Sequence, residues 1–228
     1  MSVKKAFTMI ELVFVIVIVG ILSYMVASSF VRNPLREAAD QVVSHIRYTQ
    51  HLAMQDNHFN SNDANWFQGR WQIRFFQNLS FTNVLPPIKN YDNEWAYSIY
   101  SDRPNYTHLP NLTELARNPL NQNQYLSGGY NNTLHVEDEQ SMKEMRLKTQ
   151  FGIQTITFAG GCRGGITHIQ FDEIGRPYNS YITNNNPAGE INVGFPRLII
   201  NQCRITLSDG TLNIVIAIEP ETGYTHIL

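Results

Sequence analysis

The chain has 228 residues, 17 Lys/Arg against 19 Asp/Glu, and a formal charge of −2. That length allows one sizeable core, or a helix joined to one β-rich domain. The near-neutral balance excludes a partner held by bulk charge, such as nucleic acid or an anionic surface. Only two cysteines occur, Cys162 and Cys203, with no CxxC pair, which excludes a four-thiolate zinc site.

The first predicted element is apolar. From Leu12 to Val31 no residue carries a formal charge, and Glu11 sits one step before that run. Twenty residues span about 30 Å as a helix, which matches a bilayer core. A carboxylate entering hydrocarbon costs about 3 kcal/mol on insertion scales, so Glu11 needs a reason. Three fates are open for this segment: an uncleaved anchor, a secretory signal peptide cut near Ala27, Ser28 and Ser29, or the stem of a pilin. Lys4 and Lys5 precede the run while Arg32, Arg36 and Arg47 follow it, so loop charge alone does not choose between them.

The run "KKAFTMIELVFVIVIVGIL" resembles the class III signal of type IV pilins and type II secretion pseudopilins. The resemblance implies a leader, Met1–Ala6, cut at the Ala6–Phe7 bond by a prepilin peptidase that also N-methylates the new terminus, Phe7. Glu11 then falls fifth in the mature chain. There it would neutralise the terminal amine of a neighbouring subunit and set the axial register of a fibre. One departure is Ala6, where the family usually has Gly; the extra methyl group is expected to slow processing at worst.

Next comes "NPLREAADQVVSHIRYTQHLAMQ". Leu35, Ala38, Ala39, Val42, Ile46, Thr49, Gln50 and Ala53 recur at spacings of three and four, which predicts an amphipathic helix laid on a sheet. Pro34 after Asn33 suits a first helical position or a kink. His45, His51 and His58 lack the i, i+4 spacing of a helical metal site and read as ordinary histidines.

Residues 57–132 hold 15 asparagines, with strand-like islands at 70–76 and 94–101 and long loops between. From 151 the pattern is all-β, and Asp209-Gly210 between alternating runs predicts a hairpin. In an exported domain Cys162 and Cys203 are expected to form one disulfide; two separate buried thiols is the alternative. The phrase "FDEIGRP" and the closing "GYTHI" make the head resemble, more loosely, H-type minor pseudopilins.

Catalytic signatures are missing: there is no nucleophile elbow, phosphate loop, HExxH or calcium loop. "AGGCRGGITH" places Cys162 beside Arg163 and near His168, yet clustered glycines between strands are what a turn requires. DNA binding needs clustered cations, whereas residues 35–228 carry 14 Lys/Arg against 18 Asp/Glu, and Arg163, Arg176, Arg197 and Arg204 are spread among acids.

The expected fold is α+β: a long N-terminal helix, membrane stem plus amphipathic half, packed on a C-terminal antiparallel β-sheet or sandwich head. The expected segments are 1–6 leader, 7–31 apolar helix, 32–56 amphipathic helix, and 57–228 head with an Asn-rich insertion at about 102–150. What the resemblance implies is a non-enzymatic minor pseudopilin or pilin-like subunit, single-pass in the inner membrane with its head in the periplasm. Its partners would be the prepilin peptidase/N-methyltransferase, other pilin or pseudopilin subunits, an inner-membrane assembly platform and the membrane itself. No cofactor, metal or nucleic acid is expected. The rival reading is a minor pilin that captures DNA or a surface at a fibre tip.

Overall fold

The computed structural model describes residues 8–29, 32–56, 58, 60–63, 66–79, 91–104, 106–107, 109–129, 134–162, 167–179 and 197–228. The chain divides into two units, Met1–Asn33 and Pro34–Leu228.

In the first unit, α1 (Met9–Ser29) begins directly after Thr8, whose carbonyl accepts the N–H groups of Glu11 and Leu12 at 3.1 and 3.2 Å. Its side chains are described through Met25, and from Met9 to there every one is exposed, although nearly all are apolar. Among the described residues no helix is long and apolar enough to cross a membrane.

The second unit is built on α2 (Pro34–Gln55). Pro34 opens it, where a missing N–H costs nothing. Its buried face consists of Leu35, Ala38, Ala39, Val42, Val43, Ile46, Thr49 and Ala53. The small residues Ala38 and Ala39, both fully buried, let the helix axis approach the strands beneath.

Those strands form two antiparallel four-stranded sheets. The first has β1 (Trp71–Leu79) between β2 (Tyr91–Ser101) and β6 (His168–Phe171), with β7 (Pro177–Asn179) outside β6. The second runs in the order β10 (Thr225–Ile227), β9 (Asn213–Ile218), β8 (Cys203–Ser208), β5 (Thr155–Gly160). A two-stranded ribbon, β3 (Arg117–Asn118) with β4 (Asn121–Tyr125), and a short helix α3 (Leu147–Phe151) complete the named elements. α2 packs on β1 and β6 of the first sheet and on β8, β9 and β10 of the second, so one helix closes both. A single core joins them: Ile46, Phe75, Tyr97, Ile169, Ile205 and Ile216 all belong to it.

Three sheet edges are covered by identifiable groups. Outside β2, the carbonyls of Tyr97 and Ile99 accept the N–H groups of Gly128 and Ala116, and Ile99 N–H donates to Leu126 O. Outside β7, Asn179 N–H donates to Arg197 O and Pro177 O accepts Ile199 N–H. Outside β10, the Arg47 guanidinium donates Nε and Nη2 to Thr225 O at 2.9 and 2.7 Å. Such covering keeps an edge from pairing with a foreign strand.

The expected architecture needs correcting in its N-terminal part. The N-terminal helical part does not form one body with the head: α1 and α2 belong to different units, and α2 is the helix packed on the sheets of the second unit. The membrane-stem half is not met by any described helix. The head is β-rich, with α2 and two antiparallel sheets sharing one core. The expected joint at Asn33-Pro34 agrees with the described residues there: 32 and 33 are not helical, and Pro34, which has no N–H to give to a preceding turn, opens α2.

Candidate functional site

Two candidate regions come from the sequence, the N-terminal signal and the cysteines. Ala6 and Phe7, the proposed cleavage and methylation positions, lie outside the described residues. Glu11 lies in the first turn of α1, where a carboxylate complements the helix dipole. The Thr8 hydroxyl donates to Glu11 Oε2 at 3.4 Å, an exposed and long contact. Thr8-Met9-Ile10-Glu11 has the Thr-x-x-Glu spacing of a capping box. Sequence reasoning passed over that signal. It gives Glu11 a local role at the helix start, and it leaves most of the carboxylate's bonding capacity open, since two oxygens can accept about four hydrogen bonds.

Cys162 and Cys203 form a disulfide. Cys203 opens β8 opposite Gly160, the last residue of β5, and the Cα atoms of Cys162 and Cys203 are 4.5 Å apart. The bond therefore pins the end of the β5–β8 ladder. Both cysteines are buried, so Cys162 carries no reactive thiol and the catalytic reading of "AGGCRGGITH" fails on chemistry. Arg163 lies outside the described residues.

A Ser-His-Asp set that the sequence did not suggest is brought together beside the first sheet. His58 Nε2 is 2.6 Å from Asp56 Oδ2, and Ser101 Oγ is 3.2 Å from His58 Nδ1. The composition is that of a hydrolytic triad, but the wiring is not. His58 Nδ1 also faces Gly69 O at 2.8 Å, an acceptor only, so this nitrogen carries its hydrogen and cannot take one from serine. Ser101 itself donates to Gly69 O at 2.7 Å and is buried. Asp56 is pushed up by its partial burial, yet the His58 contact, the Trp71 indole N–H and the Arg103 charge together hold it below the usual carboxylate range. The adjoining cavity, lined by Asp56, His58, Trp66, Arg70 and Trp71 among others, holds about 10 Å³. That is room for roughly one water. The cluster ties the end of α2 to β1 and β2.

A larger groove of about 320 Å³ runs along α2 and is lined by Arg36, Asp40, Val43, Ser44, Arg47, His226 and Ile227. Its charges face one another: Arg36 pairs with Asp40 at 3.1 Å, and Arg47 is bonded to the Thr225 carbonyl. Ser44 and His226 both line it, and among the described residues no hydrogen bond joins them.

Behind α2, Tyr97 OH accepts from Gln41 Nε2 and lies 2.7 Å from His45 Nδ1. Burial lowers His45 to about 4. The neutral ring accepts from the phenol, and burial, with a smaller push from the Glu144 charge and against the Gln41 hydrogen bond, drives Tyr97 upward, so the phenol keeps its proton. At the other end of the first sheet Asp172, fully buried, accepts from Arg176 N–H, Arg176 Nε, Ile174 N–H and Tyr178 OH at 2.7–3.2 Å. This is what "FDEIGRP" does: it folds the β6–β7 turn around one carboxylate. Arg176 is thereby committed, and Arg204 lies on the other sheet bonded to Gln202, so these two arginines do not form a joint phosphate-binding patch. Among the described residues no His, Cys, Asp and Glu side chains gather as a metal site.

Comparison with known proteins found no matching family, no matching curated protein and no matching solved structure.

Proposed function

We propose that the chain is a minor pseudopilin or pilin-like structural subunit of a type II secretion or type IV pilus-like assembly. The observation that carries the proposal is the coincidence, within residues 4–22, of a basic pair, an Ala-Phe junction, a glutamate five residues into the expected mature chain and an uninterrupted apolar run. Two features of the folded chain support it. The apolar side chains of α1 are exposed all around the described part, a surface that water disfavours and that packing against similar helices would remove. The disulfide fits an oxidising compartment such as the periplasm.

In this reading prepilin peptidase cuts between Ala6 and Phe7 and methylates Phe7. The N-terminal unit is held at the inner membrane, the head faces the periplasm, and an assembly platform feeds the subunit into a fibre of pilin-like neighbours. Glu11 pairs with the Phe7 amine of the next subunit. The role is structural, with no reaction to catalyse and no cofactor.

The test is the N-terminus of the protein purified from its native membrane, by intact-mass and terminal-peptide mass spectrometry. A methylated Phe7 is the expected result. A start near Phe30, or a retained Met1, overturns the proposal. The role of Glu11 is tested separately with Glu11→Gln, which retains a hydrogen-bond acceptor at the helix start but removes the charge. Processing should persist while incorporation into the fibre is lost.

A further inference from the structure

The outer edge of β5 stands apart from the three covered edges. The ladder fixes which of its backbone groups face outward. Gly161 N–H donates to Gln202 O, which makes 161 and 202 a hydrogen-bonded pair in the β5–β8 register. Hydrogen-bonded pairs alternate in an antiparallel ladder, so Ala159, Thr157 and Thr155 bond to β8, while Phe158 and Ile156 point their N–H and C=O groups away from it. The next outward position, Gly160, leaves the extended conformation with φ +67°. Among the described residues no strand or bridge pairs with this edge.

Nor does the edge carry the usual deterrents. Its sequence, Thr-Ile-Thr-Phe-Ala-Gly, has no lysine, no other charge and no proline. Ile156 is buried and Phe158 packs its ring on Phe75, whereas Thr155, Thr157 and Ala159 are exposed on the other face. The strand is thus backed by the core and presents a neutral exposed face of two threonines and an alanine.

We propose that β5 is a self-pairing edge, docking antiparallel against β5 of a second copy of the chain. A two-fold axis through Thr157 places Ile156 opposite the partner's Phe158 and Phe158 opposite the partner's Ile156. Both are outward-facing positions, so each pair exchanges two N–H···O bonds. Side chains match by face as well: Ile156 meets Phe158 on the core side, and Thr157 meets its own copy on the exposed side, a favourable cross-strand pair. The two four-stranded sheets become one continuous sheet. A second copy is the occupant because nothing on the edge repels itself and because the outward groups are complementary under that one rotation. The inference is independent of the stem's role and stands or falls without it.

Thr157 supplies the test. Paired residues at a non-hydrogen-bonded position lie about 4.5 Å apart at Cα, within disulfide range. In the full chain, kept in mild detergent, Thr157→Cys should give a disulfide-linked dimer on gentle oxidation; the native cysteines are both bonded and do not compete. Thr211→Cys, on the exposed β8–β9 hairpin, is the control and should stay monomeric. Equal crosslinking of both, or of neither, overturns the proposal. Hydrogen exchange of the unaltered chain gives a second readout. Ile156 and Phe158 amides should exchange about tenfold more slowly as concentration rises past the dimerisation range, and Thr157→Lys should abolish that change. Slow exchange at every concentration would mean that the chain's own residues cover the edge, and fast exchange at every concentration that nothing does. Either result refutes self-pairing.

Discussion

Replacing both bonded cysteines tests how the head is held. In Cys162→Ala/Cys203→Ala the closing bond of a 41-residue separation is lost. The chain-entropy relation assigns such a loop about 4 kcal/mol. Alanine leaves no buried hydroxyl, so the comparison isolates the cross-link plus the small volume lost where Cys203 is fully buried. At about 2–4 °C per kcal/mol for a chain of this size, the melting temperature should fall by roughly 8–16 °C. Urea titration of the full chain in mild detergent, oxidised against double variant, is the assay. The loss should be unequal along the chain: because Cys203 sits opposite Gly160, the β5 end of the ladder should fray first, and its amides should lose protection before those of β1. A difference below about 1 kcal/mol with an unchanged m-value would refute the reasoning, since the unfolded ensemble would then gain little freedom from the cut. Uniform destabilisation without fraying at β5 would refute the placement argument alone.

The remaining predictions concern the buried polar groups of the head. His45 is neutral when folded because burial lowers it from 6.5 to about 4, so the unfolded chain binds its proton first as pH falls. Its contribution is therefore fully present above pH 6.5 and lost between about 6.5 and 4, by about 3 kcal/mol in all. Urea midpoints across that window should fall with pH in the native chain and fall less in His45→Gln; parallel curves would show that His45 is not the group responsible. Asp172→Ala removes the buried acceptor that Arg176, Ile174 and Tyr178 share and should cost about 3 kcal/mol or more by urea unfolding. Arg176→Ala should cost less, because that side chain is 27% exposed and its loss leaves Asp172 with three other donors. Equal costs would show that the carboxylate is not the organising member of the turn.

Local pattern carried some of this fold and not the rest. The stripe Leu35, Ala38, Ala39, Val42, Ile46, Thr49, Gln50 and Ala53 was readable at helical spacing, and all but the half-buried Gln50 are buried; Val43, off the stripe, is buried too because α2 lies against two sheets rather than one. Asp209-Gly210 was readable as the β8–β9 hairpin because turn chemistry is local. The Asn-rich stretch from 102 to 150 read as loops, yet Leu115, Leu126, Leu134, Met145 and Leu147 are buried there. Its order comes from isolated bridges to β2 at Ala96, Ser98 and Tyr100, which no periodicity announces. Glu94 shows the same limit: it accepts the N–H groups of Lys148 and Thr149 at the start of α3, a cap 54 and 55 residues distant in sequence. The break at Pro34 was readable as a joint, but the α1 boundary was not, since an unbroken apolar run has no internal punctuation. The Ser101–His58–Asp56 cluster was invisible because its members come from a strand end and the segment after α2.

The way α2 is fastened has a mechanical consequence. Gln41 donates to Glu144 O and Tyr97 OH, Arg47 to Thr225 O, and Gln50 to Gly175 O and Thr222 O. These attachments lie in series along the helix and reach both sheets, Gln50 alone spanning the β6–β7 and β9–β10 turns. Tension applied along the helix axis therefore loads them in parallel, as a lap joint is loaded, and they must rupture together. Force directed across the axis meets them one at a time, like a zip. The head is accordingly stiff to axial thrust and weak to peeling, and single-molecule pulling along and across α2 should give widely separated rupture forces.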